Sequence, residues 1–174
     1  MPILIDRNGP LEDRWSAFDA EAEARSGNLA DRRLIVAFSQ WQAHADALAA
    51  AGATLGICLE PADDPADVAH HFDRIALIAV RFPAFTDGRG YSTARLLRQR
   101  YGWRGELRAV GDVLRDQMFY LARCGFDTFD LKDGESVAEA LAAFGDFAEA
   151  YQSAVDRGPL FRRRASQAGT PAAR

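Results

Sequence analysis

From residue 34 onward, short apolar runs rich in β-branched residues alternate with longer stretches whose apolar positions recur at helical spacing. That alternation is the mark of repeated βα units. Strands are expected at 34–38, 54–59, 75–82, 107–110 and 126–131, and helices at 40–51, 65–72, 93–101, 113–124 and 136–151. The punctuation agrees: Gly52, Gly102 and Gly125 stand where helices should stop, and Asp64 and Asp112 where they should start. Runs such as Ile75-Ala76-Leu77-Ile78-Ala79-Val80 are nearly continuous in apolar character, which predicts a mostly parallel sheet covered on both faces. Five such units are too few for an eight-stranded barrel. The expected fold is therefore α/β, with an open doubly wound sheet as first choice and a partial barrel as second.

Two flanks fall outside the rhythm. Residues 1–33 read as an extension packed on the domain edge, with a short strand at 3–5 and an acidic helix over 12–25. Residues 34–155 form the single α/β domain, and 156–174, with Arg162, Arg163 and Arg164, read as a flexible tail. A chain of 174 residues buries enough surface to hold a core without disulfides or a structural metal. No stretch is long and apolar enough to span a membrane, and Asp6 and Arg7 interrupt the first residues, so the cytoplasm is the expected location.

The net charge of −4 argues against nucleic-acid binding, but the average conceals a division. Residues 1–73 carry 13 acids and 5 bases, residues 74–123 carry 10 arginines and 4 acids, and residues 124–174 carry 8 acids and 6 bases. The middle is a cationic island, suited to an anionic ligand or an acidic partner.

Ligands of parallel α/β sheets bind beyond the carboxyl ends of the strands. There, after the strand ending at Phe82, comes Asp87-Gly88-Arg89-Gly90-Tyr91-Ser92. The glycines permit a tight turn, Ser92 is a natural N-cap, and Arg89 and Arg95 offer charged donors, which makes the loop a candidate anion site. After the next strand, Asp112 and Asp116 fall four residues apart at an expected helix start, with Gln117 beside them. These two carboxylates and Tyr91 are the candidate catalytic groups. Asp112 as a simple cap, and a turn ordered by Asp87, are the plainer alternatives. Lys132, the only lysine, follows the last strand on the same side. Cys58 and Cys124 read as small core residues, and with three scattered histidines they give no metal spacing. The residues leave any cofactor unknown: there is no dinucleotide fingerprint, Walker lysine or CxxC pair.

The runs Phe82-Pro83-Ala84-Phe85-Thr86-Asp87-Gly88-Arg89-Gly90-Tyr91-Ser92, Ala94-Arg95-Leu96-Leu97-Arg98, Gly105-Glu106-Leu107-Arg108-Ala109-Val110-Gly111-Asp112-Val113-Leu114-Arg115-Asp116-Gln117 and Arg123-Cys124-Gly125-Phe126-Asp127 resemble an uncharacterised bacterial family of unknown function. That family is described as a probable oxidoreductase of sulfite reduction, encoded beside assimilatory sulfite reductase. The resemblance implies a cytoplasmic accessory of sulfate and sulfite assimilation, with sulfite reductase or its electron donor as partner. It brings no established catalytic residues. Three roles follow as expectations: an anion-binding accessory acting through Arg89, Gly90, Ser92 and Arg95; a non-enzymatic docking or assembly protein using the arginine island; or a barrel-like enzyme with Asp112 and Asp116 as acid and base.

Overall fold

The computed structural model describes residues 3–20 and 29–146. Seven strands form one sheet: β1 (Ile3–Ile5), β2 (Trp15–Ala17), β3 (Arg33–Ala37), β4 (Thr54–Leu59), β5 (Leu77–Phe82), β6 (Glu106–Gly111) and β7 (Thr128–Leu131). Between and after them lie α1 (Phe38–Ala50), α2 (Pro65–Ala69), α3 (Arg89–Arg95), α4 (Met118–Cys124) and α5 (Val137–Ala143). The expected strand at 54–59 is β4 to the residue. Within α1, Trp41, Ala45 and Leu48 form the buried stripe at helical spacing. Asp64 accepts from the Ala66 amide at 2.8 Å and Pro65 occupies the first helical position, so α2 starts as the sequence predicts.

The strand order is β1-β7-β6-β5-β4-β3-β2, parallel throughout except for β1, which runs antiparallel to β7. Strands β2 to β7 are thus laid down consecutively, without the reversal that divides a doubly wound sheet. Right-handed crossovers repeated in one direction place the described crossover helices on the same face. The core shows this directly. Leu34, Val36, Leu55, Ile57, Ile78, Val80, Phe82, Leu107 and Ala109 pack in one cluster with Trp41, Val68, Leu97, Met118, Leu121 and Ala140 from the helices. Strand residues of opposite parity, Cys58, Leu77 and Ala79, form a second cluster with Trp15, Ile35 and Val110 and no helix residue among those described. The doubly wound expectation therefore gives way to a curled half-barrel, the second of the two arrangements the sequence allowed.

The curl has a measurable cause. Six inter-strand gaps of about 4.8 Å would hold the edges of a flat sheet roughly 29 Å apart. Yet the Leu11 amide donates to the Leu4 carbonyl of β1 at 2.8 Å, and Trp15 already belongs to β2 at the other edge. Four residues reach at most about 14 Å. Residues 11–15 are thus a strap joining the two edges, and the sheet must bend to meet it.

Other local expectations need correction. The acidic helix over 12–25 is absent at its start, where Trp15–Ala17 is strand, and its residues 21–25 lie outside those described. Pairing with Arg33, Leu34 and Ile35 overrides the local helical tendency. The helix expected at 93–101 begins at Arg89, because the Asp87 carboxylate accepts the Arg89 amide at 3.2 Å and opens the turn earlier. Ser92 consequently lies inside α3 and caps nothing. The last part of this helix, Leu96–Arg100, widens into a π turn. The helix expected at 113–124 starts only at Met118, after a 3₁₀ turn at Arg115–Gln117. The part of the 136–151 helix beyond residue 146, and the tail at 156–174, lie outside the described residues. No helix among those described is long and apolar enough to cross a membrane.

Candidate functional site

Alternate residues of the parallel strands face the hollow of the half-barrel in rows fixed by the register. The lowest row is Ile35, Gly56, Leu77 and Glu106; above it lie Ala37, Cys58, Ala79, Arg108 and Thr128; above that, Arg81 stands beside Val110. A side chain at Gly56 would meet Leu77 at 3.1 Å, so Leu77 covers the gap and seals the bottom. Three adjacent strands contribute only Ala37, Cys58 and Ala79 to the middle row. The space left is a cavity of about 590 Å³, walled by Trp15 and Phe18 on one side and by Arg81, Arg108, Asp130 and Lys132 on the other. Its size is that of a small-molecule site, and its mouth lies at the carboxyl ends of the strands.

Arg108 is only 3% exposed, and each of its three guanidinium nitrogens has an acidic partner. It gives Nη1 to both oxygens of Asp13 at 2.9 and 3.0 Å, and Nε and Nη2 to Glu106 at 3.2 and 3.0 Å. Thr128 also donates to Glu106, at 2.8 Å. Asp13 belongs to the strap, so this cluster fastens the strap across the hollow. Arg81 differs. Its Nε donates to Glu60 at 2.7 Å and its Nη2 lies 3.9 Å from the Cys58 sulfur, while Nη1 has no protein partner among the described residues. Burial pushes the Cys58 thiol above its ordinary value, outweighing the pull of Arg81, so the thiol stays protonated. Burial likewise pushes the Asp130 carboxyl up, against the attraction of Arg108, with Asp13 and Asp133 adding to the rise.

At the mouth, β5 and β6 are joined tightly. Gly111 has φ +101°, and a side chain there would approach the Phe82 carbonyl to 2.4 Å. The next residue, Asp112, donates its amide to that carbonyl at 2.7 Å. Asp112 does not cap the following helix. Its Oδ2 accepts from the Phe85 amide at 2.8 Å and its Oδ1 lies 2.5 Å from Lys132 Nζ. That second contact is close but outside the angles of a good hydrogen bond, so charge attraction dominates it. The lysine, with Phe85, holds the Asp112 carboxyl below its ordinary value, and Asp112 raises Lys132 in turn.

The glycine loop is arranged differently. Arg89 folds back on Asp87, with Nε and Nη2 donating at 3.0 and 2.7 Å, and this pairing holds the Asp87 carboxyl low. Gly90 is buried, and a side chain there would come within 2.6 Å of the Phe82 ring, so its role is close packing. Tyr91 stacks against Phe82 and Tyr120, and its hydroxyl accepts from Gln117 Nε2 at 3.1 Å. Gln117 also accepts from the Leu114 amide at 2.8 Å, bracing the 3₁₀ turn. Burial raises the Tyr91 hydroxyl more than this bond lowers it. Ser92 and Arg95 lie on the outer side of α3, with Leu96, Gln99 and Arg100, and Gly88 precedes Arg89 without a side-chain cap. Asp116 is exposed on the 3₁₀ turn, so the spacing that would align it with Asp112 on one helix face does not exist. The structure therefore joins Asp87 with Arg89, Tyr91 with Gln117, and Asp112 with Lys132, and gathers none of these pairs into one cradle.

The hollow's residues Cys58, Ala79, Arg81, Arg108 and Asp130 were not among the candidates from sequence. The available signal was parity: Arg81, Arg108 and Asp130 are each a charged interruption of an otherwise apolar strand run. Cys58 and Cys124 are both buried, as expected. No cluster among the described residues could hold a metal ion.

No curated protein matches this chain. Residues 56–161 match a model described as a bacterial protein of unknown function, DUF934. The match covers more than half the chain and includes Cys58, Arg81, Arg108 and Asp130 of the hollow, although the strap residues Asp13 and Trp15 precede it. The chain belongs to this DUF934 family of bacterial proteins of unknown function.

Proposed function

We propose that the protein binds a small anion in the hollow of its half-barrel, as an accessory of assimilatory sulfite reduction. The observation that carries the binding reading is Arg81: a half-exposed guanidinium over a floor of small side chains, with an N–H group still unpartnered among the described residues. Arg108 is excluded as the binder because Asp13 and Glu106 occupy its donors. Lys132, already beside Asp112, supplies a second positive charge at the rim. The link to sulfite reduction rests on the family resemblance. Calorimetric titration with sulfite, sulfate and phosphate tests the site: saturable binding lost in Arg81→Gln supports it, and equal heats for both proteins would refute it. Growth of an Arg81→Gln strain on sulfite as sole sulfur source tests the pathway separately.

A docking role is favoured by a different surface. On α3 and its π turn, Arg95 has no acidic partner among the described residues, and Arg95, Leu96 and Arg100 share the outer side. Such a patch suits an acidic surface on a partner, which this second reading takes to be sulfite reductase or its electron donor. Co-purification lost in Arg95→Glu/Arg100→Glu, with anion binding intact, would assign docking to this surface. An oxidoreductase role gains no cofactor cradle from the glycine loop, whose glycines pack and cap.

A further inference from the structure

Building on the proposed anion site, we infer that the hollow takes an organic anion, a flat apolar body ending in a sulfonate, carboxylate or phosphate, in preference to a bare inorganic oxyanion. Volume is the first argument. A single oxyanion needs about the space of two waters, roughly 60 Å³, whereas the cavity holds about 590 Å³.

Polarity is the second argument, because the lining is divided from one side to the other. Trp15 and Phe18, with Ile35 of the lowest row, form an aromatic and aliphatic wall, and the floor of Ala37, Cys58 and Ala79 offers no charge. Arg81 and Lys132 stand on the β5 to β7 side. An anion drawn to those cations leaves the aromatic wall and floor uncovered, and water there gains little from apolar neighbours. A ligand with an apolar body covers that wall while its anionic end meets Arg81.

Asp130 fits the same occupant. It lies on the charged side, half-buried beside the saturated Arg108, and burial favours its neutral form. If an arriving anion brings a proton to this carboxyl, the resulting O–H can donate to an anionic oxygen. Asp133 stands exposed at the rim, and its charge adds to the rise at Asp130.

Naphthalene-2-sulfonate and sulfite are suitable probes, titrated into the full chain and into Arg81→Gln and Ala37→Leu. Ala37 is only half-buried, so leucine can fill part of the floor without entering the helix-side core. The expected result is at least tenfold tighter binding of the aromatic sulfonate than of sulfite, with both lost in Arg81→Gln. Ala37→Leu should weaken the aromatic probe at least tenfold more than it weakens sulfite. Equal affinity for the two probes would overturn the organic body while sparing the anion site. Failure of both to bind would remove both readings, and aromatic binding indifferent to Ala37→Leu would place the probe elsewhere and overturn the inference. Thermal melting of each variant separates loss of binding from loss of fold.

Discussion

Arg81 and Arg89 flank the same turn yet sit in opposite circumstances. Arg89 is exposed and closes on the largely covered Asp87, two residues away in its own loop. Arg81 reaches across the sheet to Glu60 and Cys58 on the neighbouring strand, over a floor that other strands leave low. The loop has the glycines, the helix start and the arginines that ordinarily suggest an anion site. The strand has a single polar interruption in an apolar run. Strand parity places Arg81 over the hollow, whereas local chemistry ties Arg89 to its neighbour.

The largest expected change separates the fastening of the hollow from its use. Arg108→Ala leaves Asp13 and Glu106 facing each other without their cation, and should cost about 3 kcal/mol in urea unfolding. A loss below about 1 kcal/mol would show that the strap does not depend on this cluster. Next, Gly90→Ala forces a methyl group into the Phe82 ring and should cost about 1–3 kcal/mol. Probe affinity in the hollow should stay unchanged, which distinguishes a packing glycine from a ligand-binding one. Arg81→Gln should reduce anion affinity tenfold or more with under about 1 kcal/mol of stability lost, since its pair with Glu60 is half-exposed. Arg89→Gln should leave affinity as it was; a comparable loss there would return the site to the loop.

The smallest effect concerns pH. Asp130 is raised in the folded state, so the native protein holds its proton more firmly than the unfolded chain does. Its contribution is fully present below the ordinary carboxylate value and is lost as pH rises through the raised native value. Asp130→Asn should therefore unfold at higher denaturant than the parent at neutral pH, with the gain vanishing in acid. Asp112 is lowered by Lys132 and Phe85, so its contribution has the opposite sign and disappears as pH falls through its depressed value. Denaturant midpoints from about pH 3 to 8 for Asp130→Asn and Asp112→Asn would check both slopes.

Much of the fold was legible because local and tertiary demands coincide. Thr54–Leu59 is strand by composition and by pairing on both sides, and Asp64 with Pro65 starts α2 by local chemistry alone. The acidic stretch over Trp15-Ser16-Ala17 misled because its strand exists only through β3, to which no local preference points. The hollow was obscured for another reason. Nearly continuous apolar strands suggest burial on both faces, which holds for Cys58, Leu77 and Ala79, but among the described residues the cover on that face is Trp15 and its neighbours and no second layer of helices. Nor does spacing foretell that Asp112 turns to Lys132, since that contact joins the ends of two strands through the sheet order.

The strap also orders events in time. Ile3–Ile5 pairs with Phe129, Asp130 and Leu131, so the antiparallel edge joins Leu4 to Asp130 across nearly the whole described length of the chain. Closing so long a loop carries an entropic cost that nearby strands cannot offset until they have formed. The consecutive βα units can assemble locally, each on its predecessor, and the first segment of the chain must wait for the last strand. Completion of the hollow is then a late folding step, and amide exchange at Ile5 should report the closing of the barrel wall separately from the formation of its core.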